Sequence, residues 1–579
     1  MERRYDILKN KYNELLWPTL FTIISGSLCG LMDMIVTGFL SNSTQLSVLF
    51  LGSPLKYITG IFYTLLGQGC SLLALRAKSN LDHEKTNFYF TIAIGGTLLI
   101  SIIILLTVFF FTDNILTMLN TPAEIFNDSR GYLLILMFFY PLNCYIMVIS
   151  FFIRSDGFPK IPFYTALIAN ILNVIFDVIF MKGFNMGING NALASVLGYL
   201  IGSIYISKYI FNENATYKLI SLAKFKIREI ITSFKEILLN TPEVVGSICF
   251  SIKTLVLTYL CSTYWGTAGL LAFLVYDNSE TFIYMFLSGI MKTMSPIVTV
   301  LYKEIDYKAV QYIIKHSIKQ VVIFSLPISI IFFLYPEILL KIFNIVDPQY
   351  FEPVTLAIRI TAFSLIGRCL SYLLANYAQA IERNRIASII TFFEEFLFAV
   401  FGALILTRML GGIGIWISIL ASEILPLLIF MIYSIHLRKD SENENMTILM
   451  LQDSNLITWT FRRELLKSDE KDLNEKNEKI LANVEKVFKK DTPYISKAIE
   501  EICMNIFENN KDVDEIDITI RLIEDYMMIM ITDDGELYNP IQNKKLIKSD
   551  NIKRLSCLNY ELDYDEILGF NKTYLKIRN

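Results

Sequence analysis

Twelve long apolar runs constrain the fold of this chain more than any other feature. They begin with Leu16–Leu40, end with Gly412–Tyr433, and each spans about 20 or more residues. A helix of that length crosses a hydrocarbon layer about 30 Å thick. Lipid offers no partner for free backbone groups, so only helices or closed barrels cross it. The sequence therefore predicts an all-α polytopic membrane domain of twelve transmembrane helices.

The charge distribution separates this membrane part from a soluble tail. Residues 1–438 contain 31 Lys and Arg and 26 Asp and Glu, whereas residues 439–579 contain 21 and 29. The first part is weakly basic and the second is acidic, which argues against nucleic acid as a partner, because phosphates bind basic faces. We predict an amino-terminal six-helix lobe with linker at 1–230, a carboxy-terminal six-helix lobe at 231–438 and a cytoplasmic domain at 439–579.

Alternate short loops carry most of the positive charge of the membrane part. The loop holding Arg154 and Lys160 is basic, whereas Ser41–Ser47 and Cys261–Thr267 have no Lys or Arg. Basic loops stay on the cytoplasmic side of a membrane. With an even number of spans, both termini of this multi-pass cell-membrane protein are expected in the cytoplasm.

The two halves of the membrane part also resemble each other in sequence. SNLDHEKTNFYFTIAI before span three matches KEIDYKAVQYIIKHSI about 225 residues later, which places Asp82 on Asp306. The glycines ahead of spans six and twelve align as Gly187 on Gly412. Two similar halves in the same orientation are typical of secondary transporters with a site between the halves.

Four polar residues within apolar runs are candidates for that site. Asp33 lies in the first run, where a charge at bilayer depth costs about 2.5–3.5 kcal/mol. Asn170, Asn173 and Asp177 are spaced i, i+3, i+7, so they share one face of span five. Such oxygen ligands hold Na⁺, or a proton when burial favours the neutral carboxyl group. The alternative is that the polar groups only join helices by hydrogen bonds.

Five segments in order resemble the multidrug and toxic compound extrusion family, over Glu14 to His436. They are LMDMIVTGFL, LGSPLKYITGIFYTLLGQGCSLLA, IRSDGFPK, NILNVIFD and MGINGNALAS. The resemblance implies twelve helices in two six-helix lobes. It also implies export of amphipathic or cationic organic compounds in exchange for H⁺ or Na⁺, across the lipid bilayer.

The resemblance assigns roles to several of these residues. Asp33 and Ser195 occupy positions that line the amino-terminal lobe cavity in similar transporters. Our hypothesis is that Asp33 is the switching acid. The residues expected to tune it or to complete the coordination of H⁺ or Na⁺ are Asp177, Asn173, Asn170 and Ser195.

In the second lobe the resemblance points to a substrate cavity. Glu280 is similar to an acidic residue on span eight of some relatives, and Asp277 lies beside it. Phe250 stands where other relatives have a carboxylate on span seven. We expect the remaining acids to be neutralised structurally by nearby cations; the acids are Glu394, Glu395 and Glu423 and the cations Lys253, Lys292 and Arg368.

The soluble tail mixes short strands and helices. Met446–Gln452 and IDITIRLIEDYMMIMITDDG alternate like strands, the latter as a hairpin around Glu524–Asp525, and Ser468–Lys490 is helical in pattern. These signals predict a small α+β sandwich, an α/β domain attached to the membrane part.

Two tail motifs resemble the histidine-kinase-like ATPase fold, in its anti-sigma-factor serine kinase branch. AIEEICMNIFENN supplies Glu501 and Asn505, and MITDDGELYNP supplies Asp533 and Gly535. The resemblance implies that Asn505 binds Mg²⁺, Glu501 acts as a base and Asp533 reads the adenine of ATP. The glycine-rich lid of that family is replaced by NIKRLSCL, whose side chains restrict backbone access to phosphates. The sequence leaves open whether the tail binds or hydrolyses ATP.

Three functions remain open at this stage. The leading one is a non-enzymatic, ion-coupled exporter of a small organic substrate, with a regulatory tail that also binds a cytoplasmic protein partner. The second is a membrane receptor whose tail acts as a kinase-like module, and the third is a lipid-linked oligosaccharide flippase. An ATP-driven pump is disfavoured because the chain has no GxxxxGK[ST] loop.

Overall fold

The structure is a computed structural model in which a helical membrane part carries a small sheet domain. The ranges that it describes are 5–79, 82–156, 158, 160–212, 215–221, 232–237, 243–440, 449–451, 457–463, 492–511, 513–523, 526–536, 538–543, 546, 552–553, 560–567 and 570–578. Within the first helix, the side chains of residues 22 and 25–33 lie outside this description.

The helical part is built from sixteen α-helices in the described residues. They are α1 Asp6–Leu40, α2 Ser43–Leu51, α3 Ser53–Tyr63, α4 Cys70–Ser79, α5 His83–Met118, α6 Phe126–Ser155, α7 Lys160–Asp177, α8 Ile188–Ser207, α9 Glu243–Lys303, α10 Tyr307–Leu334, α11 Glu337–Ile342, α12 Phe351–Thr361, α13 Ser364–Ala380, α14 Asn384–Phe392, α15 Gly402–Leu410 and α16 Ile413–Asp440. Three π-helical segments join some of them, at Thr64–Gly69, Val178–Gly183 and Phe393–Phe401.

Nine helical segments of the described chain are long and apolar enough to cross a membrane, or ten if the bent pair α12–α13 forms one span. That pair bends by 41° within Pro353–Ala378, which is one of the twelve apolar runs of the sequence. Large apolar side chains such as Phe109, Phe110 and Phe111 are exposed on the outside, as lipid contact requires. The protein is thus a multi-pass membrane protein, and the expected number of twelve spans stays a prediction.

The 61-residue element α9 changes direction at one glycine. Gly266 has φ +59°, in the region that side chains disfavour, and it breaks the helix into two legs. Both legs are apolar, and the tail lies beside the end of the second leg. We call the end of the bundle that contacts the tail the tail-side end, and the opposite end the far end.

The repeat predicted from sequence is visible in the helix starts. The Asp82 carboxylate caps α5 by accepting from Lys85 N (3.0 Å), and the Asp306 carboxylate caps α10 in the same way by accepting from Ala309 N (3.2 Å). The predicted match of Gly187 with Gly412 is off by one residue.

Backbone conformation identifies the true counterpart of Gly187. Gly187 has φ +55° and Gly411 has φ +65°, and each precedes the start of its helix, α8 or α16. Gly412 is instead a packing glycine, because a Cβ there would overlap the indole ring of Trp265. Its identity therefore follows from a neighbour 147 positions away, which no local pattern indicates.

The two predicted halves contact each other at both ends of the bundle. At the far end, Asn344 Nδ2 donates to the carbonyl of Gly38 (3.0 Å). At the tail-side end, Tyr12 Oη and Ser317 Oγ are 3.0 Å apart and fully buried. Helix α1 is continuous from one end to the other, with Pro18 inside it, and it packs along α9 and α7.

The tail is a five-stranded antiparallel sheet with one long helix on it. Its elements are β1 Ile457–Arg462, α17 Thr492–Asn509, β2 Glu515–Ile523, β3 Tyr526–Asp533, β4 Tyr560–Ile567 and β5 Phe570–Arg578, and the strand order is β1-β2-β3-β5-β4. The predicted hairpin is confirmed, since Ile523 pairs with Tyr526 across the turn. Alternate residues of β2, β3 and β5 form an apolar core with α17.

One strand predicted in the tail is wrong in its described part. Leu449–Leu451 form a turn, with Met450 at φ +59°. Met450 and Leu451 are buried because they pack against the membrane part, which accounts for the apolar pattern without a sheet. The predicted helix Ser468–Lys490 and most of the predicted lid Asn551–Leu558 lie outside the described residues.

Candidate functional site

The first polar cluster lies where α7 and α8 pack closely. Gly198 of α8 permits this approach, because a Cβ there would be 2.9 Å from the carbonyl oxygen of Ala169. The close contact brings Asn191 of α8 to Asp177, whose carboxylate oxygen accepts from Asn191 Nδ2 at 3.0 Å. Both side chains are buried, Asp177 with no exposed surface.

The same amide also reaches the first helix. Asn191 Nδ2 is 3.0 Å from Thr37 Oγ1, and Thr37 is fully buried. Asn191 therefore connects α1, α7 and α8 at one point. Asp33 lies on α1 one helical turn before Thr37, and its side chain is outside the described residues.

A second contact lies one turn away on the same helix pair. Asn173 Nδ2 donates to Ser195 Oγ at 3.2 Å, and Asn173 is buried. Asn170 is half-buried on the same face of α7. Asn173 and Asp177 thus share one face of α7, as the spacing predicted, with Asn170 one turn further along. Ser195, which the resemblance pointed to, contacts Asn173.

Sequence reasoning missed two members of this cluster, Asn191 and Thr37. Asn191 precedes Ser195 by four residues on α8, so both share one helix face and the signal was available. Thr37 follows Asp33 by the same interval on α1. A π-helical segment, Val178–Gly183, begins directly after Asp177, and such segments are frequent at functional sites.

The second polar cluster lies in the other half and is built around Arg368 of α13. Its guanidinium contacts three carboxylates: Glu280 of α9 through Nε, Glu395 at 3.0 Å and Glu423 of α16 at 3.1 Å. All four side chains are at least nine-tenths buried. One arginine therefore joins three helix segments and the π-helical segment Phe393–Phe401.

Further charges complete this second cluster. Lys253 Nζ lies 2.5 Å from Glu395 Oε2, and Glu394, next to Glu395 in the π-helical segment, is also buried. Lys253 and Arg368 are thus in contact with the acids as expected, whereas Lys292 is exposed. Four carboxyl groups face two cations, and the arrangement places Glu280 in an ion pair.

Asp277 connects the two halves next to this cluster. Its carboxylate accepts from Tyr57 Oη of α3 at 3.4 Å. Phe250 packs edge-on against the Tyr57 ring, with 4.7 Å between ring centroids, and Lys253 lies over the Phe250 ring. An aromatic side chain thus occupies the position where some relatives have a carboxylate.

Neither cluster has the composition of a resident metal site. Among the described residues, no three His, Cys, Asp or Glu side chains converge as metal ligands. Among the described contacts, the Asp177 carboxylate accepts from the neutral amide of Asn191.

The tail motifs lie at one edge of the sheet, but their polar groups bond each other. Asn505 Oδ1 accepts from Tyr538 Oη at 2.7 Å, and Glu501 lies one turn earlier on α17. Asp533 Oδ1 accepts from Asn571 Nδ2 at 2.8 Å and from Gly535 N at 3.1 Å. ATP or Mg²⁺ at Asn505 and Asp533 would have to displace these partners, so the described contacts do not favour the nucleotide site that the resemblance implies.

Burial affects the electrostatics of the tail motif. It raises the pKa of Asp533 to about 6, against the opposing effect of the hydrogen bonds from Asn571 and Gly535. Gly535 itself is confined by neighbours, since a Cβ there would lie 2.3 Å from both Asn510 and Val513. The glycine of this motif is therefore required by the fold.

Comparison with known proteins identifies the family. The sequence profile of the MatE family matches residues 18–179 and 242–405, more than half of the chain. The chain belongs to the MatE family. The two matched segments fall one in each half, and the MatE match ends before the tail.

Curated relatives and solved structures of MatE transporters agree with this assignment. The multidrug export protein MepA of Staphylococcus saprophyticus is 23% identical over 378 residues, covering 65% of this chain and 82% of the relative. MepA of Staphylococcus haemolyticus is 23% identical and covers 73% and 92%. A structure titled as the inward-facing conformation of a multidrug resistance MATE family transporter of the MOP superfamily is 20% identical, with TM-score 0.63, and covers 73% of this chain and 99% of that one. That structure shares the fold of this chain over most of its length.

Proposed function

We propose that this MatE transporter is a secondary antiporter that exports amphipathic or cationic organic compounds in exchange for H⁺ or Na⁺. The observation that carries the proposal is the contact of Asn191 with both Asp177 and Thr37. It links a buried carboxylate to the helix that holds Asp33. Both termini are proposed to be cytoplasmic.

Asp33 and Asp177 are proposed to carry the coupling ion. When H⁺ or Na⁺ neutralises the Asp177 carboxylate, its attraction for the Asn191 amide weakens, because hydrogen bonds to charged groups are about twice as strong as neutral ones. Asn191 then holds Thr37 less firmly, and α1 is free to repack. Asn173, Asn170 and Ser195 supply further oxygen ligands on the same side.

Substrate binding is proposed between the halves, beside Asp277 and Glu280. Asp277 is reached from the other half by Tyr57, so a ligand there contacts both halves at once. A cationic compound competes with Arg368 for Glu280. Rearrangement of α1, which packs along α9, changes the shape of this region. Binding of substrate and coupling ion are thereby linked, as antiport requires.

The test is transport in proteoliposomes with H⁺ and Na⁺ gradients imposed separately. A fluorescent organic cation is the substrate probe, and wild type, Asp33→Asn and Asp113→Asn are compared. Asp113 is a matched control, because it is an exposed carboxylate paired with Arg130 at 2.8 Å. One gradient is expected to drive flux in wild type and in Asp113→Asn, and Asp33→Asn falls to the level of empty vesicles.

Two results would contradict this function. Export at full rate by Asp33→Asn removes the coupling role of that carboxylate. Absence of gradient-driven flux in the wild-type protein, with several organic cations, favours the receptor alternative.

A further inference from the structure

The tail sheet has a second face that α17 does not cover. We call it the outer face and define it by Asp517, Thr519, Met530, Phe570 and Lys572. These side chains alternate with the core residues along β2, β3 and β5, and all five are at most 6% exposed. Polar side chains on a free sheet face would be in water, so another surface covers this one.

That surface is the tail-side end of the membrane part. The outer face borders a small cavity shared with two membrane elements: the start of α1, through Ile7 and Leu8, and the last turns of α9, through Val300 and Leu301. Phe570 belongs to the same apolar core as Ile7 and Leu8. The hydrophobic core of the membrane part is therefore continuous with the tail.

A buried ion pair fixes the position of the outer face. Lys572 Nζ contacts the Glu304 carboxylate in the turn between α9 and α10, with the two side chains 4% and 16% exposed. Removing one partner of such a pair leaves a buried charge without compensation. The pair therefore favours this position of the tail on the membrane part.

The candidate nucleotide motif of the tail also faces α1. Burial is the main cause that raises the pKa of Asp534, which lies between Asp533 and Gly535. The positive charge of Lys11 on α1 lowers this pKa, and the negative charge of Glu14 raises it. Lys11 is itself buried and donates to Glu14 at 2.9 Å. The motif and the start of α1 are thus electrostatic neighbours.

The other end of α1 carries Thr37, which Asn191 ties to Asp177. We propose that the outer face of the tail is a regulatory docking surface for the membrane part of the same chain. By holding the start of α1 against the α9–α10 turn, it sets how readily this helix rearranges at the ion-coupling site. The proposal rests on the proposed function for its second part alone, since the docking itself is independent of transport.

The segment that connects the membrane part to the tail is itself held on the membrane part. Tyr377 Oη donates to the carbonyl of Leu449 at 2.7 Å, and Met450 packs with Ala378 and Ile386. The chain is therefore anchored on the membrane part before it enters the tail. Such tethering gives a high effective concentration for intramolecular docking.

The test is a charge-swap series in the full-length protein. Glu304→Gln, Glu304→Lys, Lys572→Glu and the double variant Glu304→Lys/Lys572→Glu are compared by hydrogen exchange at residues 5–15 and 34–40, and by gradient-driven flux. Lys497→Glu on the exposed side of α17 is the matched control. Loss of a buried pair is expected to raise exchange at 5–15 by about tenfold or more, and the double variant restores it. In the same variants, hydrogen exchange at residues 34–40 and the gradient-driven flux are also expected to change.

The outcomes separate the parts of the proposal. Unchanged exchange at 5–15 in Glu304→Gln and Glu304→Lys overturns the docking; these variants leave the tail sequence intact, so tail unfolding does not confuse the result. Faster exchange at 5–15 with unchanged exchange at 34–40 and unchanged flux overturns the regulatory part. If wild type shows no gradient-driven flux, the transport function fails while the exchange data still decide the docking.

Discussion

The two halves of the membrane part bury polar groups in opposite ways. In the first half, the Asp177 carboxylate accepts from the neutral amide of Asn191, and one helical turn away Asn173 donates to Ser195. In the second half, Arg368 is clamped by carboxylates, and Lys253 adds a further cation. A buried carboxylate that accepts from a neutral amide can take up a proton or Na⁺, whereas the ions of a paired cluster balance each other. The comparison fits the ion exchange that we propose for the first half, and in the second half it indicates a balanced cluster beside the proposed substrate site.

The largest expected effect is the loss of coupling in Asp177→Asn. The amide is nearly isosteric but cannot release a proton or bind Na⁺ with a full charge, so gradient-driven flux is expected to fall to the level of empty vesicles. Asp177→Glu, which keeps the charge, is expected to retain measurable flux. Proteoliposome transport of both variants measures this, and full activity of Asp177→Asn would break the comparison.

Removing the central cation of the second half is expected to destabilise the protein. Arg368→Gln leaves buried carboxylates without their partner, at a cost of about 3–5 kcal/mol in unfolding free energy. Arg130→Gln, which disrupts an exposed pair, is expected to cost about 1 kcal/mol or less. Thermal unfolding in detergent compares them. Loss of transport in Arg368→Gln at unchanged stability would mean that Arg368 acts in transport itself and does not merely support the fold.

Asp533 extends the comparison outside the membrane, because its carboxylate is also buried and accepts from an asparagine, Asn571. Its pKa of about 6 exceeds the ordinary value of about 3.9, so the folded tail binds more protons between these pH values. The contribution of Asp533 to the unfolding free energy is therefore highest below about pH 4, and it decreases, by at most about 3 kcal/mol, as pH rises through about 6.

Pulse proteolysis of the full-length protein in urea at several pH values measures this dependence. In Asp533→Asn the decrease between about pH 4 and pH 6 is expected to disappear, because the side chain no longer ionises. A decrease that persists unchanged in the variant would assign it to another group.

The smallest expected effect concerns the amide that joins α1 to Asp177. Asn191→Ala removes the donor shared by Asp177 and Thr37, a change of about 1–3 kcal/mol that shifts the ion concentration for half-maximal flux by about tenfold. Ser203→Ala on the same helix is the control, since the Ser203 hydroxyl donates locally to the Leu200 carbonyl. An equal shift in both variants would mean that Asn191 acts through general helix packing.

Much of the fold and part of the site follow from local sequence patterns. The i, i+3, i+7 spacing on α7 predicted the shared face of Asn173 and Asp177, and alternation predicted the β2–β3 hairpin. Asn191 was missed because periodicity within one helix does not say which helix lies opposite. Arg368 was expected to neutralise acids, but its contact with three of them depends on the packing of α9, α13 and α16.

The errors in the prediction arise where a local sequence pattern does not report a tertiary contact. The alternating pattern at Met446–Gln452 predicts a strand, yet Met450 and Leu451 are apolar because the membrane part covers them. Gly411 and Gly412 are adjacent and identical in sequence, and only φ distinguishes the helix-start glycine from the packing one. Tertiary neighbours decide such cases.

The chemical character of the outer face has a consequence for how the tail behaves when it separates. Aspartate, threonine and lysine are well hydrated, and only Met530 and Phe570 among its defining side chains are apolar. Exposing such a face to water costs less than exposing an apolar face of the same size, so the proposed docking is expected to be reversible.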